Sequence, residues 1–581
     1  MKNIYQISYS NPNSHCLTIT YLISGLEGAT TLVQLPTWRP GRYELGNFAK
    51  NIQRFEVTAE NGTALPYQKK NSHLWEITLN GNAAIRVKYV YYAADLNAGS
   101  TFLGREQLYM NPVNCLMYQV NRLNVPCEIH LDIPEDYRVA SSMEKLARNV
   151  FAAKNCHELF DSPFIASNTL KTHKMYVNGV EVQLHFQGYA KPDMQKLEND
   201  FARFFAHQMD IFGEFPTSEY HFLFQMLPHA FHHGVEHQAN TVIAMGPAYA
   251  QFTTGYAEFL GISSHELFHA WNIKAIRPVE LWPYDYTKEN YTNLGYVAEG
   301  VTTLMGDLTL LRSGVWTQNE FWTEFGKECQ KHFDNFGRLN YSVAESGFDS
   351  WLDGYSAGIP HRKVSIYTEG MLYAFVMDVM ICKATGFSRS LYDVMFNLYH
   401  HYYKQSKGFS EEDYLHELKT VSWIDFKPFF EQYIWKASDD KDIINEALNY
   451  LGLTLDEVPS SVFHESMLGF KLTPSGLVTA VYPGSVAEKA GLWIDDKLVA
   501  VNGVEAISDL GRWMQFFGDE KMTLTINRQH KLIDIEVQAD GTAYFHNYQV
   551  KTDKNLEQNL DNLEKWVKVR RLSKDELNKL S

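Results

Sequence analysis

Within Ser264-His265-Glu266-Leu267-Phe268-His269-Ala270-Trp271 lies the spacing H-E-x-x-H, and no other stretch of the 581 residues restricts the possible folds as tightly. Residues four apart on an α-helix lie one turn above each other, so His265 and His269 aim their imidazoles at a common point. Glu266 stands one step round the helix, within reach of a water held at that point. Two imidazoles leave a zinc ion short of a tetrahedral shell, which calls for a third protein ligand and a water. Zinc would lower that water's pKa from about 15.7 towards neutrality. Glu266 would take its proton and pass it to the leaving group. The motif alone is short enough to arise by chance, and its surroundings tip the balance. Ile262 and Leu267-Phe268 give the segment an apolar side, as a buried helix requires. Further on, Val297-Ala298-Glu299-Gly300-Val301-Thr302-Thr303 places an acid inside an apolar stretch. A buried carboxylate without a partner is costly, and a zinc ion is such a partner. Glu299 is therefore the expected third ligand, with one zinc per chain.

A chain of this length divides into several domains, and the expected class is multidomain α+β. Residues 1–170 read as an amino-terminal β-sandwich-like domain. Leu17, Ile19, Tyr21 and Ile23 alternate with Thr18, Thr20 and Leu22; further strands are expected at Ile85–Tyr91 and Glu128–Ile133, with Asn61-Gly62 and Asn80-Gly81 as turns. The loop Pro36-Thr37-Trp38-Arg39-Pro40-Gly41-Arg42-Tyr43 is read first as packing against the next domain and second as touching substrate. Asn111 or Asn114 is a further candidate for touching a substrate from the β domain. Residues 171–455 read as the catalytic domain. An Asn178-Gly179 hairpin is followed by helical spacing of Leu197, Phe201, Phe204, Phe205 and Phe212, a stop at Gly213, and a strand over Tyr220–Met226. Beyond Glu299 the domain is expected to be mainly helical. Residues 456–545 form a small module with a strand beginning at Leu468-Gly469-Phe470. Residues 546–581 form a carboxy-terminal tail whose Leu556, Leu560, Leu563 and Trp566 have the spacing of a docked helix.

Two further features bear on chemistry. The string Phe231-His232-His233-Gly234-Val235-Glu236-His237 admits a second metal centre, a packed histidine loop, or, as preferred here, a carboxylate at Glu236 that holds a substrate's α-ammonium group. Gly234 before it lets backbone approach a ligand closely. Tyr367, ahead of Gly370 and a buried helix, is placed to donate to a developing oxyanion; a core or capping tyrosine is the competing reading.

The formal charge of −16 argues against nucleic acid and anionic membranes, which need basic surface. No run of some eighteen apolar residues marks a membrane span, and the opening residues have no signal-type apolar region. The six cysteines lack C-x-x-C spacing, as expected of reduced thiols in a cytoplasmic protein.

Three of these strings point together to one family. His265-Glu266-x-x-His269 with Glu299 resembles a gluzincin, the zinc peptidase clan of thermolysin and aminopeptidase N. Gly234-Val235-Glu236-His237 resembles the G-x-M-E-N exopeptidase motif, with Val235 in place of the usual Leu or Met and His233 where a second glycine is usual. The module from Leu468-Gly469-Phe470 to Gly503 resembles a PDZ domain of the bacterial protease type. The order of these parts, with the Pro36–Tyr43 loop and Phe48-Ala49, is similar to the PDZ-bearing glycyl aminopeptidases over nearly the whole chain. The resemblance implies a thermolysin-like catalytic domain with zinc ligands His265, His269 and Glu299, Glu266 as general base and Glu236 as amino-terminus anchor. It implies Tyr367 as oxyanion donor, although Glu369 stands where that motif commonly has lysine. The implied activity is removal of small amino-terminal residues, Gly or Ala, from peptides with a free amino terminus. Two rivals remain open: an endopeptidase with the same zinc, and a peptide-binding protein whose zinc site is structural or vestigial. Leu468, Gly469 and Phe470 would receive carboxy-terminal peptides by β-augmentation, unless the PDZ domain only packs.

Overall fold

The structure is a computed structural model that describes residues 2–354, 358–505 and 509–571. The chain forms two compact units: residues 1–321, 336–447 and 563–581 in the first, and 322–335 with 448–562 in the second.

The first unit begins with a β-rich region, as the alternation at Leu17–Ile23 predicts. In the strand Cys16–Ser24 those four residues are buried while Thr18 and Thr20 lie on the other face. Its seven-stranded sheet is centred on Asn3–Ser8, which pairs antiparallel with Cys16–Ser24 and parallel with Cys127–Leu131. Two four-stranded sheets complete the region. All six cysteines are free thiols.

A five-stranded sheet follows, in the order Lys171–Val177, Val180–Gly188, Glu219–Met226, Asn240–Gly246 and Phe231–Glu236. The three central strands are parallel. The last-named strand is antiparallel and forms the edge, so one side of its backbone has no strand partner among the described residues. The helix Met194–Phe212 covers this sheet with the apolar stripe read from the sequence. Asp193 caps its start and Gly213, at φ 83°, ends it.

The helical half follows the strand Asn240–Gly246. It comprises Tyr256–Phe268, a π-helical turn over Tyr296–Val301, and Thr302–Arg312, Thr368–Ala384, Leu391–His401 and Glu411–Ser422. Serine-aspartate capping boxes start the last two. Arg312 and Asp378 form a fully buried pair at 3.1 Å. Asp378 also accepts a 2.8 Å hydrogen bond from the indole N–H of Trp566, which fixes the tail read from Leu563 and Trp566 against these helices. No described helix is long and apolar enough to cross a membrane.

The second unit holds the PDZ module around a core that includes Leu468, Phe470, Val478, Leu498, Val501, Leu524 and Ile526. Here one sequence expectation fails in detail. Leu468-Gly469 does not start a strand: His464–Leu468 is a π-helical turn, Gly469 caps it at φ 81°, and the strand begins at Phe470. The reason is local. The Gly469 N–H bonds back to the His464 carbonyl, and a Cβ at Gly469 would stand 3.0 Å from the Ser485 hydroxyl and 3.1 Å from the Tyr544 ring. The Gly469 amide is thus engaged within the turn.

Candidate metal centre and its surroundings

The helix Tyr256–Phe268 ends at the motif, with His269 as its carboxy-terminal cap. It is pinned from three directions. The Ser264 hydroxyl donates to the Gly306 carbonyl at 2.7 Å. The Gln208 amide donates to the Ser264 carbonyl at 2.9 Å. Gly306 has no room for a side chain, since its Cβ would lie 3.0 Å from the His265 backbone. The motif helix therefore packs backbone-close on Thr302–Arg312, the helix that continues directly from Glu299.

Helical spacing brings the two imidazoles together, and the π-helical turn brings Glu299 to them. His265 Nε2 and His269 Nε2 are 3.0 Å apart. Glu299 Oε2 lies 3.3 Å from His269 Nε2 and 3.9 Å from His265 Nε2. Ligands at the usual zinc distances of about 2.0–2.1 Å around a tetrahedral centre are separated by roughly 3.3–3.4 Å. The three donor atoms thus have the spacing of three corners of such a shell. His269 Nδ1–H donates to the Asn272 carbonyl at 2.6 Å, which fixes the ring and leaves the Nε2 lone pair facing the centre. The Asn272 side chain donates to the Val297 carbonyl at 2.8 Å and to the Thr302 hydroxyl at 3.0 Å, tying the motif to the turn that carries Glu299.

Charge makes the same point. Burial disfavours a charged imidazole at both histidines. At His265 burial prevails and the pKa falls well below its ordinary value. At His269 the Glu299 carboxylate outweighs burial and raises the pKa to about 10. Burial pushes the Glu266 carboxyl up; His269 pulls against this, and Glu236 and Glu299 reinforce it. Glu236, Glu266 and His269 form a second group with donor atoms within 4.8 Å, sharing His269 with the first. Three buried carboxylates around two imidazoles have an excess of negative charge. A divalent cation would neutralise it, so the donor set fits a metal.

Glu266 and Glu236 meet across the edge strand. Thr241, the strand partner of Glu236, stands with its hydroxyl 3.5 Å from Glu266 Oε2. Gly234 is required by Glu266: a Cβ there would stand 2.5 Å from the carboxyl carbon and closer still to Oε1. The close approach inferred at Gly234 is thus one by the Glu266 side chain. Glu236 is buried, and its Oε1 has no hydrogen-bond partner among the described residues.

Tyr367 caps Thr368–Ala384, and its ring centroid lies 6.4 Å from that of His265. Two glycines bring it there. Gly370 meets Gly300, the neighbour of Glu299, backbone to backbone, and a Cβ on Gly370 would sit 2.9 Å from the Gly300 Cα.

Sequence reasoning missed several groups. The loop Pro36–Tyr43 packs, through Trp38 on the Asp285 carbonyl and on the Trp351 ring, and it also enters the site. The Tyr43 hydroxyl donates to Glu299 Oε1 at 3.2 Å. Gly41 lies so close to Glu236 that a Cβ would stand 2.5 Å from its Oε2. Asp161, also from the β region, accepts from the Lys274 ammonium at 2.6 Å, from His237 Nδ1–H at 3.0 Å and from the Gln238 N–H at 2.8 Å. It anchors both the residues after Glu236 and the turn after the motif. The only sequence signals were an aromatic, glycine-bearing loop and a lysine in an apolar stretch. Asn111 and Asn114 are buried in the β region, where the Asn114 amide donates to the Gly99 carbonyl.

Comparison with known proteins finds similarity in all three regions of the chain. Residues 4–168 match the Peptidase M61 N-terminal domain, 258–373 the M61 glycyl aminopeptidase domain, and 477–528 a PDZ domain. The crystal structure of an aminopeptidase N family protein from Idiomarina loihiensis superposes with a TM-score of 0.89 at 25% identity, over 97% of this chain and 100% of that one. An M1 zinc metallopeptidase mutant from Deinococcus radiodurans, bound to a Tyr-Ser-Ala substrate, gives a TM-score of 0.48 at 13% identity, over 76% and 94%. No curated protein sequence matches the chain.

Proposed function

We propose that this chain, a metallopeptidase with the domain set of the M61 glycyl aminopeptidases, is a zinc aminopeptidase that removes one small residue from the free amino terminus of a peptide. His265, His269 and Glu299 would hold the ion through Nε2, Nε2 and Oε2. A zinc ion bound there supplies a Lewis acid that polarises the scissile carbonyl and lowers the pKa of water towards neutrality.

The other steps belong to the chain's own residues. Glu236 pairs with the substrate's α-ammonium, whose pKa of about 7.7–8.0 keeps it mostly charged at neutral pH. Because Glu236 is fixed on a strand beside the motif helix, that pairing sets the cut one residue in. Glu266 takes a proton from the attacking water and returns it to the departing amine. Its raised proton affinity suits a group that must both accept and release a proton near neutral pH. Tyr367 donates to the oxygen on which negative charge develops. The preference for a Gly- or Ala-sized first residue is supported by the match to the M61 glycyl aminopeptidases.

The observation that carries the reading is the buried Glu236 carboxylate, whose Oε1 lacks a partner among the described residues, next to the three-ligand cluster. An endopeptidase has no use for an amine anchor there, and a structural metal has no use for Glu266. The test compares Ala- or Gly-led peptides with their acetylated forms, using wild type and Glu236→Ala. Cleavage confined to free amines, and lost by more than tenfold in the variant, supports the aminopeptidase. Equal cleavage of blocked peptides would transfer the assignment to an endopeptidase.

A further inference from the structure

Glu299 reaches the cluster with its two oxygens in different surroundings. Oε2 faces both imidazoles, whereas Oε1 accepts the Tyr43 hydroxyl at 3.2 Å. Both side chains are buried. They lie 256 residues apart, and Tyr43 belongs to the β region rather than to the catalytic sheet or helices. Its loop is held firmly. The Thr37 N–H donates to the Tyr286 carbonyl at 2.9 Å and the Trp38 indole to the Asp285 carbonyl at 2.7 Å. The Trp351 ring meets Trp38 edge-on at 5.1 Å and Tyr43 at 6.2 Å.

A carboxylate can bind a metal through one oxygen or two. A donor fixed on Oε1 favours the first mode, because a second metal–oxygen contact would have to compete with the hydrogen bond. One-oxygen binding with two imidazoles makes three ligands and leaves a tetrahedral position open, as catalysis at such a centre requires. Groups that hydrogen-bond to metal ligands orient them, and removing such a group typically weakens metal binding about 10–100-fold.

We infer that Tyr43 is a positioning residue of the metal centre: it holds Glu299 in one-oxygen ligation, so that the β domain completes the site. The inference rests on the reading that His265, His269 and Glu299 bind the ion.

Tyr43→Phe keeps the ring against Trp351 and removes only the hydroxyl. Zinc release from full-length protein into a chelator should accelerate about 10–100-fold in this variant. The metal-free protein should stay folded, its thermal midpoint lowered only by the one lost hydrogen bond. After cobalt substitution, the variant's visible d–d bands should weaken, as they do when a second carboxylate oxygen takes coordination from four to five. Trp351→Phe, which disturbs the same packing without touching Glu299 Oε1, should release zinc at the wild-type rate. Unchanged release and an unchanged cobalt spectrum in Tyr43→Phe would overturn the inference while leaving the metal centre intact. The same acceleration in Trp351→Phe would also overturn it, by tracing the effect to packing. A wild-type protein that retains no metal would remove the metal centre itself.

Discussion

Gly234→Ala tests how tightly Glu266, the proposed general base, is held. Gly234 lacks the positive φ that would strain an alanine, so the substitution acts through space alone. The added Cβ would stand 2.5 Å from the Glu266 carboxyl carbon and 3.0 Å from its Cγ, whereas ordinary contacts fall at 3.4–4 Å. Relief requires Glu266 to move by about 1 Å, and a misplacement of that size at a reacting group costs on the order of 10²-fold in rate. Gly234 lies on the edge strand but is held on its inner side by pairing with Ile243, so most of the relief falls on the Glu266 side chain. The cost in stability should remain at about 1–3 kcal/mol, as for one methyl forced into a packed site. His265, His269 and Glu299 are not in the path of the new methyl, so metal content should stay at the wild-type level. Steady-state turnover of an alanyl or glycyl anilide, metal analysis by mass spectrometry and a thermal melt on the same preparation read all three quantities. Wild-type turnover in a folded, metal-loaded variant would show that Glu266 is not the proton carrier, or that it works from a different position.

Two other outcomes follow from the same geometry. Tyr367→Phe should lower kcat by about 10²–10³ with little change in KM, the usual loss for one oxyanion donor; parallel loss in both constants, seen in initial-rate kinetics, would make Tyr367 a packing residue. Asp161→Asn leaves the buried Lys274 without its carboxylate and should cost about 3–5 kcal/mol, measured by calorimetry. Burial alone would raise the Asp161 pKa, but Lys274 and His237 outweigh it and the net shift is downward. A depressed carboxyl contributes its full stabilisation above the unfolded value of about 3.9 and loses it as pH falls through the lower folded value. The gap between wild type and variant should therefore be constant from about pH 5 to 8 and close only in stronger acid.

The sequence revealed what is local and periodic. The (i, i+4) histidines, the alternating strand at Leu17–Ile23, the helix stopped by Gly213 and the Asn178-Gly179 turn are each set by neighbours a few residues away. Glu299 could be singled out because a carboxylate in an apolar stretch is expensive to bury. Contacts across long separations were not legible. The Gly300–Gly370 crossing, Tyr43 on Glu299 and Asp161 on Lys274 depend on which surfaces meet after folding, and a lone glycine or tyrosine carries no address. Gly234 was recognised as a site of close approach, but its occupant belongs to a helix that comes later in the chain. At Leu468-Gly469, the likeness to a PDZ strand obscured a helical turn stabilised by its own backbone hydrogen bond.

The loop that ends at Tyr43 also limits how this protein could be shortened. A fragment cut at the apparent start of the catalytic sheet would keep His265, His269, Glu236, Glu266 and Glu299. It would lose the hydroxyl on Glu299, the glycine wall beside Glu236 and the aspartate under Lys274. A shortened version that keeps the site as it stands must therefore retain Gly41, Tyr43 and Asp161, and engineering that swaps the β region for another must rebuild those three contacts.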